Sequence, residues 1–188
     1  MGTSPVSATP GEVDPEVAYT SLVTYAELLR TPGLARLYTT ILQHGPMTVE
    51  EVKADTGLAH STAYKYVGEL EEMGILERDE ETAPATVTVE PVRLAIETDE
   101  GHVLVTPTFV AAIGARTDSE EIDLFVDRHG IGKLGAALHY TFRVRAGELT
   151  QRMVATRLDV HPVEAMTIID ALQTVIDEVG PDDPHLSG

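Results

Sequence analysis

Residues 46–76, PMTVEEVKADTGLAHSTAYKYVGELEEMGIL, predict two helices of unequal length joined by a short turn. Thr48 and Glu51 have the spacing of a capping box, in which each side chain bonds the other residue's backbone N–H. Gly57 suits the left-handed conformation that commonly ends a helix. The second helix has one apolar face, made of Ala63, Val67 and Leu70. The pattern is that of a helix-turn-helix.

The flanking sequence predicts two earlier helices and several later strands. Apolar residues recur at helical spacing over residues 18–30 and 34–43. The predicted extended segments are residues 75–78, 85–90, 92–97 and 102–106. Pro91 ends the alternating run before it, and the last two segments have the pattern of a hairpin turning at residues 98–101.

In this order of elements, residues 46–76 resemble the winged helix-turn-helix of ArsR-, MarR- and TrmB-like prokaryotic regulators. With its neighbours, the resemblance covers residues 20–106. It implies that the second helix enters the major groove of DNA with its N-terminal end first. These regulators usually carry a Ser or Thr cap where Ala59 stands. The helix therefore starts without that cap, or Ser61 caps a slightly later start.

The resemblance implies that outward-facing residues of this unit contact DNA. The predicted contact residues are Thr48, His60, Ser61, Thr62, Tyr64, Lys65, Arg78 and Arg93. Ser61 and Thr62 can bond phosphates or base edges, Tyr64 can donate its hydroxyl to the backbone, and Lys65 suits a phosphate or a guanine. Arg78 and Arg93 are expected on the wing, within reach of a neighbouring minor groove.

The charge of the chain is strongly negative, with 31 acids against 13 bases and a net charge of −18. Only three of the bases are lysines, and Trp is absent. This composition resembles that of proteins from salt-loving archaea. Carboxylates hold water in concentrated salt, where the Debye length falls to about 3 Å and self-repulsion is screened. The alternative is an acidic protein of an ordinary cytoplasm that avoids nucleic acid.

The same charge leaves two functions open for the winged helix. Residues 1–106 contain 18 acids and six bases, and the late part of the second helix carries Glu69, Glu71 and Glu72. In concentrated salt, release of counterions drives little DNA binding, so a regulator must use base edges, DNA shape and dimeric avidity. We therefore predict a sequence-specific regulator acting as a homodimer. The alternative is a protein-interaction module of the transcription machinery without base readout.

The remaining sequence is helical. Residues 118–121 have the signature of a helix start, and His129-Gly130 is expected to end that helix. Further helices are predicted over residues 131–145, 148–158 and 163–179. Gly135-Ala136-Ala137 would allow close approach of another helix in a dimer.

Residues 149–172 carry a second, weaker helix-turn-helix spacing. Its apolar positions are Ala155, Leu158, Val160, Ala165, Ile169 and Leu172, and Arg152 and Arg157 lie on its first helix. The chain after Val179 is too short for a wing. This segment is therefore interpreted as a helical hairpin that packs on its partner in a dimer, with a second DNA-contacting helix-turn-helix as the alternative.

The predicted fold class is α+β, a winged helix-turn-helix followed by an all-α C-terminal domain. The predicted divisions are a tail at 1–16, the DNA-binding domain at 17–106, a helical domain for dimerisation and a candidate for effector sensing at 107–180, and a tail at 181–188. Cysteine is absent, and no Walker, dinucleotide-binding, GxSxG or HExxH pattern occurs. We expect no enzyme activity, cofactor or metal. No segment has the features of a secretory signal or membrane span, which predicts a cytoplasmic protein.

Overall fold

A computed structural model describes residues 15–98 and 101–183, which contain eight α-helices and four short strands. The helices are α1 (Pro15–Arg30), α2 (Pro32–His44), α3 (Val49–Thr56), α4 (His60–Glu72), α5 (Pro107–Gly114), α6 (Glu120–Arg145), α7 (Gln151–Leu158) and α8 (Pro162–Val179). The strands are β1 (Leu76–Asp79), β2 (Thr86–Val89), β3 (Leu94–Thr98) and β4 (Gly101–Val105). The predicted fold class is confirmed: a winged helix-turn-helix precedes an all-helical region.

The wing is the antiparallel hairpin of β1 and β2, with Leu76 opposite Val89 and Asp79 opposite Thr86. Met47, just before α3, joins this sheet through two backbone hydrogen bonds with Val87, of 2.7 and 3.1 Å. Strands β3 and β4 form a separate hairpin, as predicted, although residues 99 and 100 of its turn lie outside the described residues. The sheet therefore fixes the wing directly beside the helix-turn-helix.

The predicted signals at both ends of α3 are confirmed. Thr48 Oγ1 accepts a hydrogen bond from Glu51 N at 3.2 Å, and Thr48 N donates to Glu51 Oε2 at 2.7 Å. The bond from the Thr48 backbone holds the pKa of Glu51 below its usual value. Gly57 follows with φ 67°, the left-handed conformation that its missing Cβ permits.

One hydrophobic core extends through the winged-helix and helical regions. Helix α5 lies at the junction, where all eight of its residues are buried. A Cβ added to Gly114 would lie 2.8 Å from the backbone N of Arg36, so α5 approaches the backbone of α2 closely. A helix that is apolar on every side has no 3.6-residue period, and for this reason the sequence pattern does not delimit α5.

Tyrosine hydroxyl groups connect α1 and α2 to the chain that follows the wing. The Tyr38 hydroxyl donates to Glu90 O at 3.1 Å and accepts from Val92 N at 2.9 Å. Burial raises the pKa of Tyr38 well above its usual value. Tyr25 makes the equivalent pair of bonds with the backbone of Arg93. The path of the chain from β2 to β3 is thus held from both helices.

The structure of the helical region confirms some of the predictions made from the sequence and corrects others. Ser119 caps α6, and Gly130 (φ 81°, ψ 167°) interrupts it at the predicted end of the first helix. Helix α7 begins at Gln151 and not at Glu148, because the chain turns at Gly147 (φ 73°) and Thr150 caps the helix. A Cβ on Gly135 would lie 3.3 Å from Phe109 Cζ, so this small residue makes room for α5 of its own chain.

The predicted tails are only partly described, since residues 1–14 and 184–188 lie outside the described ranges. Helix α1 begins at Pro15, inside the predicted N-terminal tail. The prediction that residues 181–183 belong to a C-terminal tail is wrong: Asp183 is fully buried and accepts bonds from Thr108 N (3.0 Å) and Thr108 Oγ1 (2.8 Å). Asp183 thereby caps α5 from a distant part of the chain.

Candidate nucleic-acid interface

Helix α4 buries one face and leaves the first two turns of the other face in solvent. The buried residues are Ala63, Val67 and Leu70, as the spacing predicts. His60, Ser61, Tyr64 and Lys65 are exposed, and Thr62 is half-buried. Five of the predicted contact residues therefore lie together on the first two turns of one helix.

The start of α4 carries no side-chain cap. Helix α4 begins at His60, and Ala59 is its N-cap residue with φ −61° and ψ 146°. The suggestion that Ser61 caps a later start is therefore wrong. The first intrahelical bond of α4 runs from Ala63 N to Ala59 O, at 2.9 Å, so the N–H groups of residues 60–62 precede it. N–H groups at a helix start favour an anion such as a phosphate.

An acidic side chain of α3 lies beside this surface. The His60 ring stacks on Tyr64, with centroids 4.5 Å apart, and His60 Nε2 lies 3.5 Å from Glu50 Oε1. Glu50 also bonds Lys53, and this bond is the main cause that lowers the pKa of Glu50. The place of Glu50 beside His60 could not be predicted from the sequence, because it depends on how α3 packs on α4.

Lys65 is held loosely on the same surface. Its Nζ lies 3.3 Å from Glu69 Oε1 and 5.7 Å from the centre of the Tyr66 ring. The Lys65 side chain is 68% exposed. An exposed ion pair of this kind contributes little stability, so a phosphate can replace Glu69 as the partner of Lys65 at small cost.

The other three predicted contact residues are placed differently. The Thr48 hydroxyl lies within the capping box, 2.9 Å from Glu51 Oε2. Arg78 Nε and Nη2 donate to the Glu71 carboxylate at 3.3 and 3.2 Å, which ties β1 to α4. Arg93 is exposed but lies after β2, so its expected position on the wing is wrong. Arg78 alone of the two arginines belongs to the β1–β2 hairpin.

The wing itself is acidic. Its loop, residues 80–85, contains Glu80 and Glu81 and follows Asp79 directly. Asp79 Oδ1 accepts from Glu81 N at 2.8 Å, and Asp79 O accepts from Thr82 Oγ1 at 3.0 Å, which fixes the shape of the loop. Carboxylates at the tip of a wing would repel a phosphate backbone. The chemistry suited to DNA is thus concentrated at the start of α4.

A groove of about 680 Å³ separates α2 from the start of α6 and from α8. Among its lining residues are Arg36, Thr39, Gln43, Thr167, Asp170 and Thr174. Arg36 is already bonded to Thr117 and Asp118. Within the described residues, no three His, Asp or Glu side chains are grouped so that they could hold a metal ion, and no helix is long and apolar enough to cross a bilayer.

Two family models match separate parts of the chain. Residues 35–95, which run from α2 through the wing into β3, match the sugar-specific transcriptional regulator TrmB. Residues 116–181 match a family of unknown function, DUF7437. No curated protein and no solved structure gives a significant match. The first match supports a winged-helix transcription regulator. The matched residues include α3, α4 and both strands of the wing.

Proposed function

We propose that this chain is a cytoplasmic, sequence-specific DNA-binding transcription regulator that acts as a homodimer. The observation that carries the proposal is the exposed start of α4, within a region similar to the TrmB regulators. Ser61, Tyr64 and Lys65 supply hydroxyl and ammonium groups for base edges and phosphates. Because the later part of α4 and the wing are acidic, contact with DNA is confined to the first two turns of α4.

Exposed apolar side chains support the homodimer. Leu124, Met153, Val163 and Met166 are 44%, 44%, 63% and 48% exposed, and all lie on α6, α7 or α8. We propose that a second copy covers them through the C-terminal helices. A dimer that binds two successive major grooves must hold its two α4 helices about 34 Å apart.

The excess of acids supports a role in concentrated salt, as in a haloarchaeal cell. The net charge of −18 keeps such a chain hydrated where salt screens its self-repulsion. Electrostatic DNA affinity falls steeply as salt rises. Hydrogen bonds from α4 to base edges, and the doubling of contacts in a dimer, would then supply the specificity.

A binding titration at several salt concentrations tests this function. The probes are a labelled duplex from the DNA directly upstream of the chain's own coding region and a shuffled duplex of the same composition. We expect tighter binding to the upstream duplex, with a preference that persists in multi-molar KCl. Equal affinity for the two duplexes at every salt concentration would favour the protein-interaction module without base readout.

Sedimentation of the purified chain in high salt tests the dimer separately. We expect the wild type to sediment as a dimer and Val163→Glu to shift it toward the monomer, since a carboxylate would be buried in the interface. Gln173→Glu on α8 serves as the control, because it adds the same charge without changing an exposed apolar residue. A monomeric wild type would remove the avidity from the proposal.

A further inference from the structure

The backbone of α3 and α4 is repeated by α7 and α8. Helices α3 and α7 each have eight residues and each follow a Thr cap, Thr48 and Thr150, which are 102 positions apart. Each ends at a residue with positive φ, Gly57 at 67° and Asp159 at 52°, 102 positions apart as well. The next helix begins three residues later in both cases. The two segments share one turn geometry.

The buried positions repeat at the same offset. The matched pairs are Val52 and Val154, Ala63 and Ala165, Val67 and Ile169, and Leu70 and Leu172, all buried. The helix-turn-helix spacing predicted for residues 149–172 is thus confirmed as a geometry. This segment lies within the range that matches the family of unknown function.

The exposed surfaces of the two motifs differ. Position 61 is Ser and position 64 is Tyr in α4, whereas the matched positions in α8 are Val163 and Met166. Val has no hydrogen-bonding group and the Met thioether is only a weak acceptor. At these two positions α8 therefore lacks the hydroxyl groups that α4 presents.

The stretch that holds the second half of α6 and all of α7 has a charge opposite in sign to that of the whole chain. Residues 128–158 contain six of the 13 bases and one of the 31 acids. Residues 46–89, which hold the first motif and its wing, contain ten acids and three bases. In a chain with a net charge of −18, a basic stretch of this length requires an explanation.

Five of these six bases lie on the second half of α6 and on α7, and we call them the α6–α7 basic surface: Lys133, Arg143, Arg145, Arg152 and Arg157. The Arg157 guanidinium lies 5.6 Å from the centre of the Tyr140 ring, so it joins α7 to the second half of α6. Glu148 bonds Arg143 at 2.9 Å, and Asp177 lies 2.7 Å from Arg145. Within the described residues, no carboxylate pairs with Arg152 or Arg157, and both are exposed.

We propose that the α6–α7 basic surface binds the phosphate backbone of duplex DNA, as a sequence-independent contact added to the recognition of bases by α4. The inference rests on the proposed function. It is supported by Arg152 and Arg157, which are exposed on α7 and pair with no carboxylate of the described residues. Guanidinium groups suit phosphate oxygens because they donate two parallel hydrogen bonds.

The test compares Arg152→Gln/Arg157→Gln with a charge-matched control, Thr39→Glu/Thr174→Glu. Each double substitution lowers the net charge by the same amount, but the control lies in the groove beside α2, which α7 does not line. Affinities of the full chain for the upstream and shuffled duplexes are measured over a range of KCl concentrations. The Gln variant should lose about ten-fold or more on both duplexes and its salt slope should fall by about two. The preference for the upstream duplex should stay unchanged.

The outcomes separate this inference from the proposed function. If the control loses as much affinity as the Gln variant, net charge explains the effect and the basic surface is not a contact. If the Gln variant binds DNA normally but loses self-association in sedimentation, the surface binds a second copy, and the inference is overturned. If the wild type binds neither duplex, the proposed function fails. Arg152→Lys/Arg157→Lys should retain most of the affinity, and circular dichroism checks that every variant is folded.

Discussion

The helix-turn-helix of α3 and α4 and that of α7 and α8 share helix starts, a left-handed turn residue and buried positions, but they expose different residues. The first exposes Ser61, Tyr64 and Lys65 in acidic surroundings, and the second exposes Val163 and Met166 beside a basic surface. Four matched pairs of apolar residues are buried in both motifs. The cap, turn and buried residues therefore determine this fold. The exposed residues differ between the two motifs and determine what each motif binds.

The largest effect is expected from substitutions in the shared core. Leu70 and Leu172 are matched and fully buried, so Leu70→Ala and Leu172→Ala should each lower the free energy of unfolding by about 2–5 kcal/mol. Because one core joins the two motifs, each variant should shift a single urea transition followed by circular dichroism. Two separate transitions, of which Leu172→Ala moves only one, would show that the motifs unfold independently.

The turns should respond in different ways. Gly57→Ala places a Cβ at φ 67° and should lower the free energy of unfolding by about 1–2 kcal/mol. Asp159→Gly relieves a left-handed Asp but adds freedom to the unfolded chain, so the change should stay below about 1 kcal/mol. Thermal unfolding of the two variants measures both. A larger loss from Asp159→Gly than from Gly57→Ala would contradict the shared turn geometry.

The caps sharpen the comparison further. Thr48 takes part in a reciprocal capping box, whereas Thr150 only accepts a bond from Met153 N, at 3.3 Å. Replacement of either Thr by Ala should lower the free energy of unfolding by about 1 kcal/mol, with the larger loss at Thr48. Thr48→Ser and Thr150→Ser keep a capping hydroxyl and serve as the controls. Equal losses at both positions would mean that the Glu51 half of the box contributes nothing.

The smallest effect concerns pH, at a matched position where the two motifs carry different residues. The hydrogen bond with His129, 3.0 Å long, holds the pKa of Glu164 below its usual value, and the matched residue of α4 is Thr62. A lowered pKa adds stability that is fully present above the ordinary value of about 4.3 and is lost as the pH falls through the lowered value. The stability difference between wild type and Glu164→Gln should therefore shrink below about pH 4. A constant difference across this range would argue against the bond.

Local signals made much of the fold predictable from the sequence. The Thr48 box, Gly57 and the spacing of Ala63, Val67 and Leu70 act within a few residues, and the helices and turn follow from them. Contacts between residues far apart in the sequence could not be predicted from such local signals. Asp183 caps α5 although it is 75 positions away from Thr108 in the sequence. Helix α5 has no exposed polar face, so no alternation of polar and apolar residues marks where the helix lies in the sequence.

The candidate interface was predictable to a similar extent. Exposure of His60, Ser61, Tyr64 and Lys65 follows from helical periodicity around a buried face. The pairing of Arg78 with Glu71 and the position of Arg93 after the wing depend on how a strand packs on a helix and on where a hairpin closes. The helix-turn-helix spacing of residues 149–172 was visible in the sequence. The left-handed turn at Asp159, which corresponds to the turn at Gly57, is seen only in the dihedral angles of the structure.

One measurement tests the division of roles between the two motifs most directly: the ratio of affinities for the upstream and shuffled duplexes. Ser61→Ala/Tyr64→Ala in α4 should bring this ratio close to one, because binding to the upstream duplex should weaken much more than binding to the shuffled duplex. Arg152→Gln/Arg157→Gln in α7 should weaken binding to both duplexes and leave the ratio as in the wild type. A ratio that survives the α4 substitutions would contradict recognition of bases by α4, and with it the central claim.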